Sequence, residues 1–439
     1  MALTMVGDTD QMLMRFAGAK PEILGQEIVD LIPDIKTIKL KINYRSTQEI
    51  IEQCQKLIAH NYSNQGGPYS QSIFKEIEPR PGAPKGSEIS FSDFDNIEDE
   101  TQSVTETIEH LLQGSYEPQD IFIGARTKAQ LGYLEGSLIE AKIPFINICG
   151  GSFWNSKHIQ DVLAYVKLAY DNSDKEAFKR IYNISSKDFE QPFNTKDKKK
   201  GDYNSHRWLA GKGLFLSTCD NCYSNIHLAE SNKNGWRWQP GIDDLKDLLD
   251  TISFALAEGG VSKTIQIVID HCYEKWMIEE GLLVPGEDGT RLDDLSTMQD
   301  ISSDFDTTED FFEYVDKCVK VSEDAKNGDW NEYVILSTIH RLKGLERKVV
   351  FGIGWSEGFD KEDQPIGILP HTYSLRQPPQ FGVLPTNGMG RIEDERCLAY
   401  VLVSRAKELV FLSSIRQYKN SQMYPSQFIE ELLNDYQSS

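Results

Sequence analysis

Residues 333–346 read YVILSTIHRLKGLE, and the fold turns on this stretch. Val334, Ile335 and Leu336 form an apolar, mostly β-branched run, which Ser337, Thr338 and His340 then break with polar groups. A positive patch with a glycine follows, Arg341, Lys343 and Gly344, and a carboxylate stands at Glu346. A second apolar run opens at Val349 and closes on Gly352 and Gly354. Two buried-strand patterns flanking a basic, polar connection point to an α/β fold that carries its chemistry at strand ends.

Composition sets the frame. A chain of 439 residues has room for about three domains. Its formal net charge of −22 means that the surface as a whole repels nucleic acid. Any contact with DNA must come from a local basic or aromatic track. Hydrophobic residues at 39% and charged residues at 26% suit a soluble globular protein. No apolar run approaches the roughly 18 residues that span a membrane, and Asp8 and Asp10 interrupt any signal-peptide pattern. The seven cysteines are scattered and odd in number, which favours reduced thiols and a cytoplasmic location.

Outward from the opening stretch, the strand–helix alternation recurs. Residues 3–6 predict a short strand ended by a turn at Gly7 and Asp8, although a lone strand needs neighbours and none precede it. Lys39 to Asn43 lead through Tyr44, Arg45 and Ser46 into a helix marked by Ile50, Ile51, Cys54, Leu57 and Ile58, one face at helical spacing. Ser46 or Thr47 is its expected N-cap. Residues 62–90 read as a long loop with one or two short strands. A helix over 101–112, a strand at 121–124, a helix over 129–138 and a strand at 143–148 complete a doubly wound pattern. Gly150, Gly151, Phe153 and Trp154 then open a helix over 158–170. From about 153 to 325 the pattern is helical, with apolar faces at Leu245, Leu248, Leu249, Ile252 and Leu256, and at Ile265, Val268, Ile269, Cys272 and Trp276. A further helix begins at Arg291. Near the end, acids at Glu393, Asp394 and Glu395 lead into Ser404, Arg405, Ala406 and Lys407, and a strand follows at 409–412.

Four segments together resemble the UvrD/Rep family of superfamily-1 DNA helicases. Gly7, Asp8, Gln11 and Phe16 are similar to its motif III, with Met14 and Ala17 departing from the usual tyrosine and arginine. Asn43, Tyr44, Arg45 and Ser46 are similar to motif IV. The stretch 333–346 resembles motif V, with Arg347 where an aromatic is usual, and Ser404, Arg405 and Ala406 resemble motif VI. The glycine and aromatic pairs at 150–154 also look like the family's, with Ser156 and His158 where an arginine and an acid are common.

The resemblance implies a RecA-like parallel-sheet motor domain with an inserted all-helical domain. The expected boundaries are a remnant of a first motor domain at 1–38, a second motor domain at 39–152 and 326–439, and an inserted domain at 153–325. It implies catalytic roles for Gln11, Arg45 and Arg405, and nucleotide contacts from Tyr44 (adenine), Arg45 and Arg405 (γ-phosphate) and Glu346 (ribose). Phe16 would stack on a DNA base, and Thr338 and His340 would lie beside the DNA backbone. The implied cofactors are ATP and Mg2+, and the implied partners are single-stranded DNA and DNA junctions. As bland alternatives, Arg45 could be a helix-start ion-pair partner and Arg405 a buried structural arginine.

No G-x-x-x-x-G-K-[ST] pattern occurs in the sequence, and no acidic pair on a strand precedes Gly7. The phosphate loop and the metal ligands are therefore expected from a polypeptide carrying Walker A and B motifs, and the chain alone is expected not to turn over ATP. The competing expectation is a DNA- or protein-binding module without catalysis. Three other features invite misreading. Cys219 and Cys222 with His206 and His227 make one C-x-x-C without a second pair, poor grounds for zinc. The segment from Gly259 to Thr264 ends like a phosphate loop, but Ser262 stands where glycine must precede the lysine; it reads as a helix start. The lysine run at 196–201 reads as a solvated loop, with duplex phosphate contact as the alternative.

Overall fold

The structure is a computed structural model and describes residues 4–13, 26–32, 35–63, 75–181, 239–279, 290–326, 328–376 and 392–433. Phe16, the lysine run and the Cys219–Cys222 pair with His206 and His227 lie outside the described residues. The chain forms two compact units, Met1–Gly151 with Val321–Ser439, and Ser152–Lys320.

In the first unit, α1 (Gln48–Ser63) buries Ile50, Ile51, Cys54, Leu57 and Ile58, the face its spacing predicts. Its start departs from expectation. The Thr47 hydroxyl is buried without a hydrogen-bond partner, and Ser46 Oγ donates instead to the carbonyl of Ala406, 2.6 Å away. Neither side chain caps the helix; the turn is tethered to a distant strand. Strand β1 (Ser90–Phe94) precedes α2 (Ile97–Gln113), capped by Asn96, whose side chain accepts from the Asp99 amide. Then come β2 (Ile121–Ala125), α3 (Lys128–Glu140), with a capping box of Thr127 and Gln130, and β3 (Phe145–Asn147).

The described elements of four residues or more in the second unit are all helical: α4 (Lys157–Tyr170), α5 (Lys175–Ile181), α6 (Gln239–Val268), continued by the helical stretches Ile269–Tyr273 and Glu274–Glu279, α7 (Thr290–Ser302) and α8 (Thr308–Lys326), of which the part up to Lys320 lies in this unit. Trp154 anchors its core, meeting Phe153 at 5.2 Å and Phe311 at 5.7 Å edge-on. Asp161 is buried and accepts from Arg180 Nε at 2.7 Å and the Tyr273 hydroxyl at 2.9 Å. His158 and Asp294 pair at 2.8 Å. Residues Asp247–Ile278 reach a mean hydropathy of 1.3 over 18 residues, a longer apolar stretch than the sequence reading allows. Gly260 interrupts it at φ 74°, ψ −172°, a conformation reserved for glycine. The segment from Gly259 to Thr264 is thus a break between two helical pieces.

The first unit resumes with β4 (Val334–Thr338), β5 (Arg347–Gly352), β6 (Ser356–Phe359) and β7 (Pro365–Gly367). After these come α9 (Ile392–Val403), β8 (Ala406–Ile415), β9 (Gln417–Tyr418), β10 (Ser421–Pro425) and α10 (Gln427–Leu433). Six strands form one parallel sheet in the order β1-β8-β5-β2-β4-β3. A small antiparallel sheet, β9-β10-β6-β7, adjoins it in sequence. The fold is α/β with a helical insertion, as the sequence implied.

Parallel strands buried on both faces carry unbroken apolar runs, which is why β2 and β4 read IFIGA and VILST. In register, Phe122 opposes Ile335 on one side and Val350 on the other. Gly124 lets the sheet meet α9, since a Cβ there would come within 2.3 Å of Leu402 Cδ1. Helix α9 is buried from Glu393 to Val403, and its Leu398 and Leu402 share a core with Phe122, Val410 and Ile50.

One expected strand is absent. Residues 4–8 form no ladder, and Val6 is 88% exposed. Without neighbouring strands to accept its backbone groups, the apolar run gains nothing from extended pairing.

Candidate functional site

The site in the first unit starts from a turn. Asn43 Oδ1 accepts the amides of Arg45 (2.8 Å) and Ser46 (3.1 Å), the local ring that asparagine makes at turns. The amide of Thr47 donates to the carbonyl of Lys407 at 3.1 Å. Together with the Ser46–Ala406 bond, this fixes Arg45 against the start of β8. Arg45 donates through Nε to Glu346 Oε2 at 2.6 Å and through Nη1 to the Ser404 carbonyl at 2.8 Å.

Arg405 follows the end of α9 and is 2% exposed. Its Nε donates to the Val401 carbonyl at 3.1 Å, and Nη2 reaches Gln11 Oε1 at 3.2 Å and Ser404 Oγ at 3.3 Å. Burial, then the positive charge of Arg45, lowers its pKa. Gln11 in turn donates to Asp8 Oδ2 at 2.8 Å, and Lys75 pairs with Asp8 at 3.1 Å. Ser404 is therefore the hub, its carbonyl taking Arg45 and its hydroxyl Arg405. Four expected site residues, Gln11, Arg45, Glu346 and Arg405, form one linked set. Two like charges brought together at such a hub favour an anion between them. Tyr44, next to Arg45, is 72% exposed and offers a free aromatic face.

Glu346 carries a second cation. Lys407 Nζ lies 3.0 Å from Oε1, so Arg45 and Lys407 hold both oxygens, and Arg45 chiefly keeps the carboxyl below its usual range. Nearby, Asp10 is buried and accepts a hydrogen bond from the Tyr62 hydroxyl. Burial pushes its pKa up to about 6.

Thr338 and His340 lie elsewhere. In register Leu336 and Phe351 both oppose Ile123, so Thr338 stands six residue rises above Arg347, about 20 Å along the strands. The arginine pair and Glu346 thus sit at the amino ends of β5 and β8, while Thr338 caps the carboxyl end of β4. The Thr338 amide donates to Cys149 Sγ at 2.9 Å. His340 is pressed by burial, then by Arg126, to a pKa of about 4. Arg126 itself grips Glu395 with two bonds, Nε to Oε2 at 2.9 Å and Nη2 to Oε1 at 2.8 Å, and the His371 amide adds a third at 3.1 Å.

The sequence reading did not single out Lys407, Ser404, Arg126, Glu395 or the Asp10–Tyr62 pair as site residues. Lys407, Ser404 and Glu395 stand within the motif it quoted, but their partners, Glu346, Arg45 and Arg126, lie far off in the chain, and no spacing signals such pairs.

A six-stranded parallel sheet with a helical insertion is consistent with a domain of the RecA-like class. The model of the UvrD-like helicase C-terminal domain matches residues 38–198 and 239–417, and the chain belongs to that family. It is 26% identical over 440 residues to "DNA helicase II" of Haemophilus influenzae, covering 98% of this chain and 54% of that protein. It is 27% identical to "ATP-dependent DNA helicase Rep" of Escherichia coli, over 98% of this chain and 59% of that protein. It is 25% identical to "ATP-dependent DNA helicase PcrA" of Bacillus subtilis, over 99% and 54%. The chain spans little more than half the length of these curated relatives.

Proposed function

We propose that this chain is the C-terminal motor part of an ATP-dependent DNA helicase that couples ATP hydrolysis to 3′-to-5′ movement on single-stranded DNA and to duplex unwinding. The observation that carries the reading is the linked set in which Ser404 accepts from both Arg45 and Arg405, and Arg405 in turn donates to Gln11. A buried guanidinium, Arg405, beside a half-buried one, Arg45, suits the γ-phosphate, and arginines so placed are worth roughly 10³–10⁵ in rate. Tyr44 would stack on the base, Glu346 would accept from the ribose, and Gln11 would report on the phosphate. Thr338 and His340, at the far end of the sheet, would face the DNA backbone, with Phe16 stacking on a base. When bound, ATP with Mg2+ supplies the phosphoryl group whose transfer drives movement.

Among the described residues no group of His, Cys, Asp and Glu could hold a metal. The metal and the α/β-phosphates are assigned to a segment carrying a phosphate loop and an acidic strand, joined to this chain or supplied separately. The exposed apolar residues Val6, Ile38 and Leu40 favour burial against such a segment. Supplying it should yield ATP hydrolysis stimulated by single-stranded DNA, while this chain alone should bind ATP weakly and not turn it over. Arg45→Ala and Arg405→Ala should each cost about 10³-fold in turnover and leave assembly intact. Equal hydrolysis with both arginines removed would overturn the reading. A second reading, a DNA- or protein-binding module without a motor role, is favoured by Met14 and Ala17, which depart from the tyrosine and arginine usual in the segment that resembles motif III. It requires single-strand affinity that Phe16→Ala lowers and that nucleotide leaves unchanged.

A further inference from the structure

We propose that Lys407 is a positioning residue of the nucleotide site, sharing the Glu346 carboxylate so that Arg45 can leave it for a phosphate. The inference rests on the reading of Arg45 as a phosphate-binding arginine. As the structure stands, Arg45 is committed. Its Nε is 2.6 Å from Glu346 Oε2 and its Nη1 is 2.8 Å from the Ser404 carbonyl. To present its Nε–Nη2 edge to an anion beside Arg405, it must give up the carboxylate that Nε now holds. A carboxylate deserted by its only cation resists the exchange, because the charge left behind loses its compensation. Glu346 has a second cation in place, since Lys407 Nζ sits 3.0 Å from the other oxygen.

The arrangement uses both oxygens of the carboxylate. Arg45 and Lys407 bind different oxygens, so neither must move for the other to stay. The turn that carries Arg45 is also bonded to the backbone of Lys407, through the Thr47 amide and the Lys407 carbonyl. The three groups therefore hold a common frame while one guanidinium swings. With Lys407 present, the hold of Glu346 on Arg45 is diluted; without it, Arg45 becomes the sole counter-ion and is pinned.

The probe is inorganic tripolyphosphate, which has no ribose and so leaves out any direct contact of Glu346 with a nucleoside. Its binding to the full chain is measured by calorimetry for the wild type, Lys407→Met, Lys407→Arg, Glu346→Gln and the double variant Lys407→Met/Glu346→Gln. Lys407→Met should weaken binding roughly two- to five-fold, the range of partly exposed ion pairs, and Lys407→Arg should restore it. Glu346→Gln should tighten binding, because it releases Arg45. In the Glu346→Gln background, Lys407→Met should have almost no further effect, the non-additivity expected of groups acting through one partner. A general attraction of Lys407 for the polyanion predicts the same loss in both backgrounds, and that result would overturn the proposal. Binding abolished by Arg405→Ala but indifferent to Lys407→Met overturns this inference and leaves the nucleotide reading standing. No binding even in Glu346→Gln, with Arg45 released, overturns both. Unchanged thermal unfolding of Lys407→Met separates the effect from a loss of fold.

Discussion

Replacing Arg126 by methionine tests the buried cluster at the carboxyl ends of the strands. The Glu395 side chain is 2% exposed and that of Arg126 18%, so solvent screens the pair little. Burial alone would raise the Glu395 pKa, yet Arg126 and the His371 amide bring it from 4.5 down to about 2. At 1.36 kcal/mol per tenfold, that difference is worth about 3 kcal/mol of stability at neutral pH. Loss of one partner of a buried pair costs a similar amount, about 3–5 kcal/mol. The sign follows from the folded pKa lying below the unfolded one. The stabilisation is complete above about pH 4.5 and is lost as pH falls towards 2. In Arg126→Met only His371 still opposes burial, so the Glu395 pKa rises, and the deficit is greatest at pH 7 and shrinks towards pH 4. Urea denaturation at pH 7 and pH 4.5 measures both quantities. A loss below about 1 kcal/mol at pH 7, or an equal loss at the two pH values, would refute the assignment.

Two further substitutions probe the frame. Gly124→Ala places a methyl 2.3 Å from Leu402 Cδ1 and 3.1 Å from Leu342 Cδ1; the clash between β2 and α9 should cost about 1–3 kcal/mol in the same denaturation assay. Asp10, whose folded pKa stands at about 6 against 3.8 unfolded, should make stability fall as pH rises from about 4 to 6. Asp10→Asn should flatten that fall and stabilise the protein above pH 6, whereas an unchanged pH profile would exclude Asp10 as its source.

The sheet was legible because its strands are buried on both faces: VILST and IFIGA could hardly be anything else between turn residues. The helical insertion was legible from apolar residues at helical spacing, and the motifs singled out Arg45, Glu346 and Arg405, which the fold brings together through Ser404. Residues 3–6 misled, since periodicity reports what a segment could pair as, and pairing needs a partner that the sequence pattern does not supply. The capping expected of Ser46 and Thr47 failed for a related reason. A serine before a helix can cap it or reach a distant carbonyl, and only the tertiary contact with Ala406 decides. Lys407 on Glu346 and Arg126 on Glu395 were illegible because each pair joins residues far apart in the chain, and charge alone names too many candidates.

Helix α9 begins beside the grip of Arg126 on Glu395 and ends at Val403, two residues before Arg405; its twelve residues rise about 18 Å. Buried along nearly its whole length, it cannot bend or compress without opening voids in a close-packed interior. It is therefore a push-rod in a fitted sleeve. A tug on Arg405 at the amino ends of the strands must either slide the rod or strain the clasp at its other end. If a pull at one end is felt at the other, reciprocity requires that loosening the clasp change the hold on Arg405 by the same free energy.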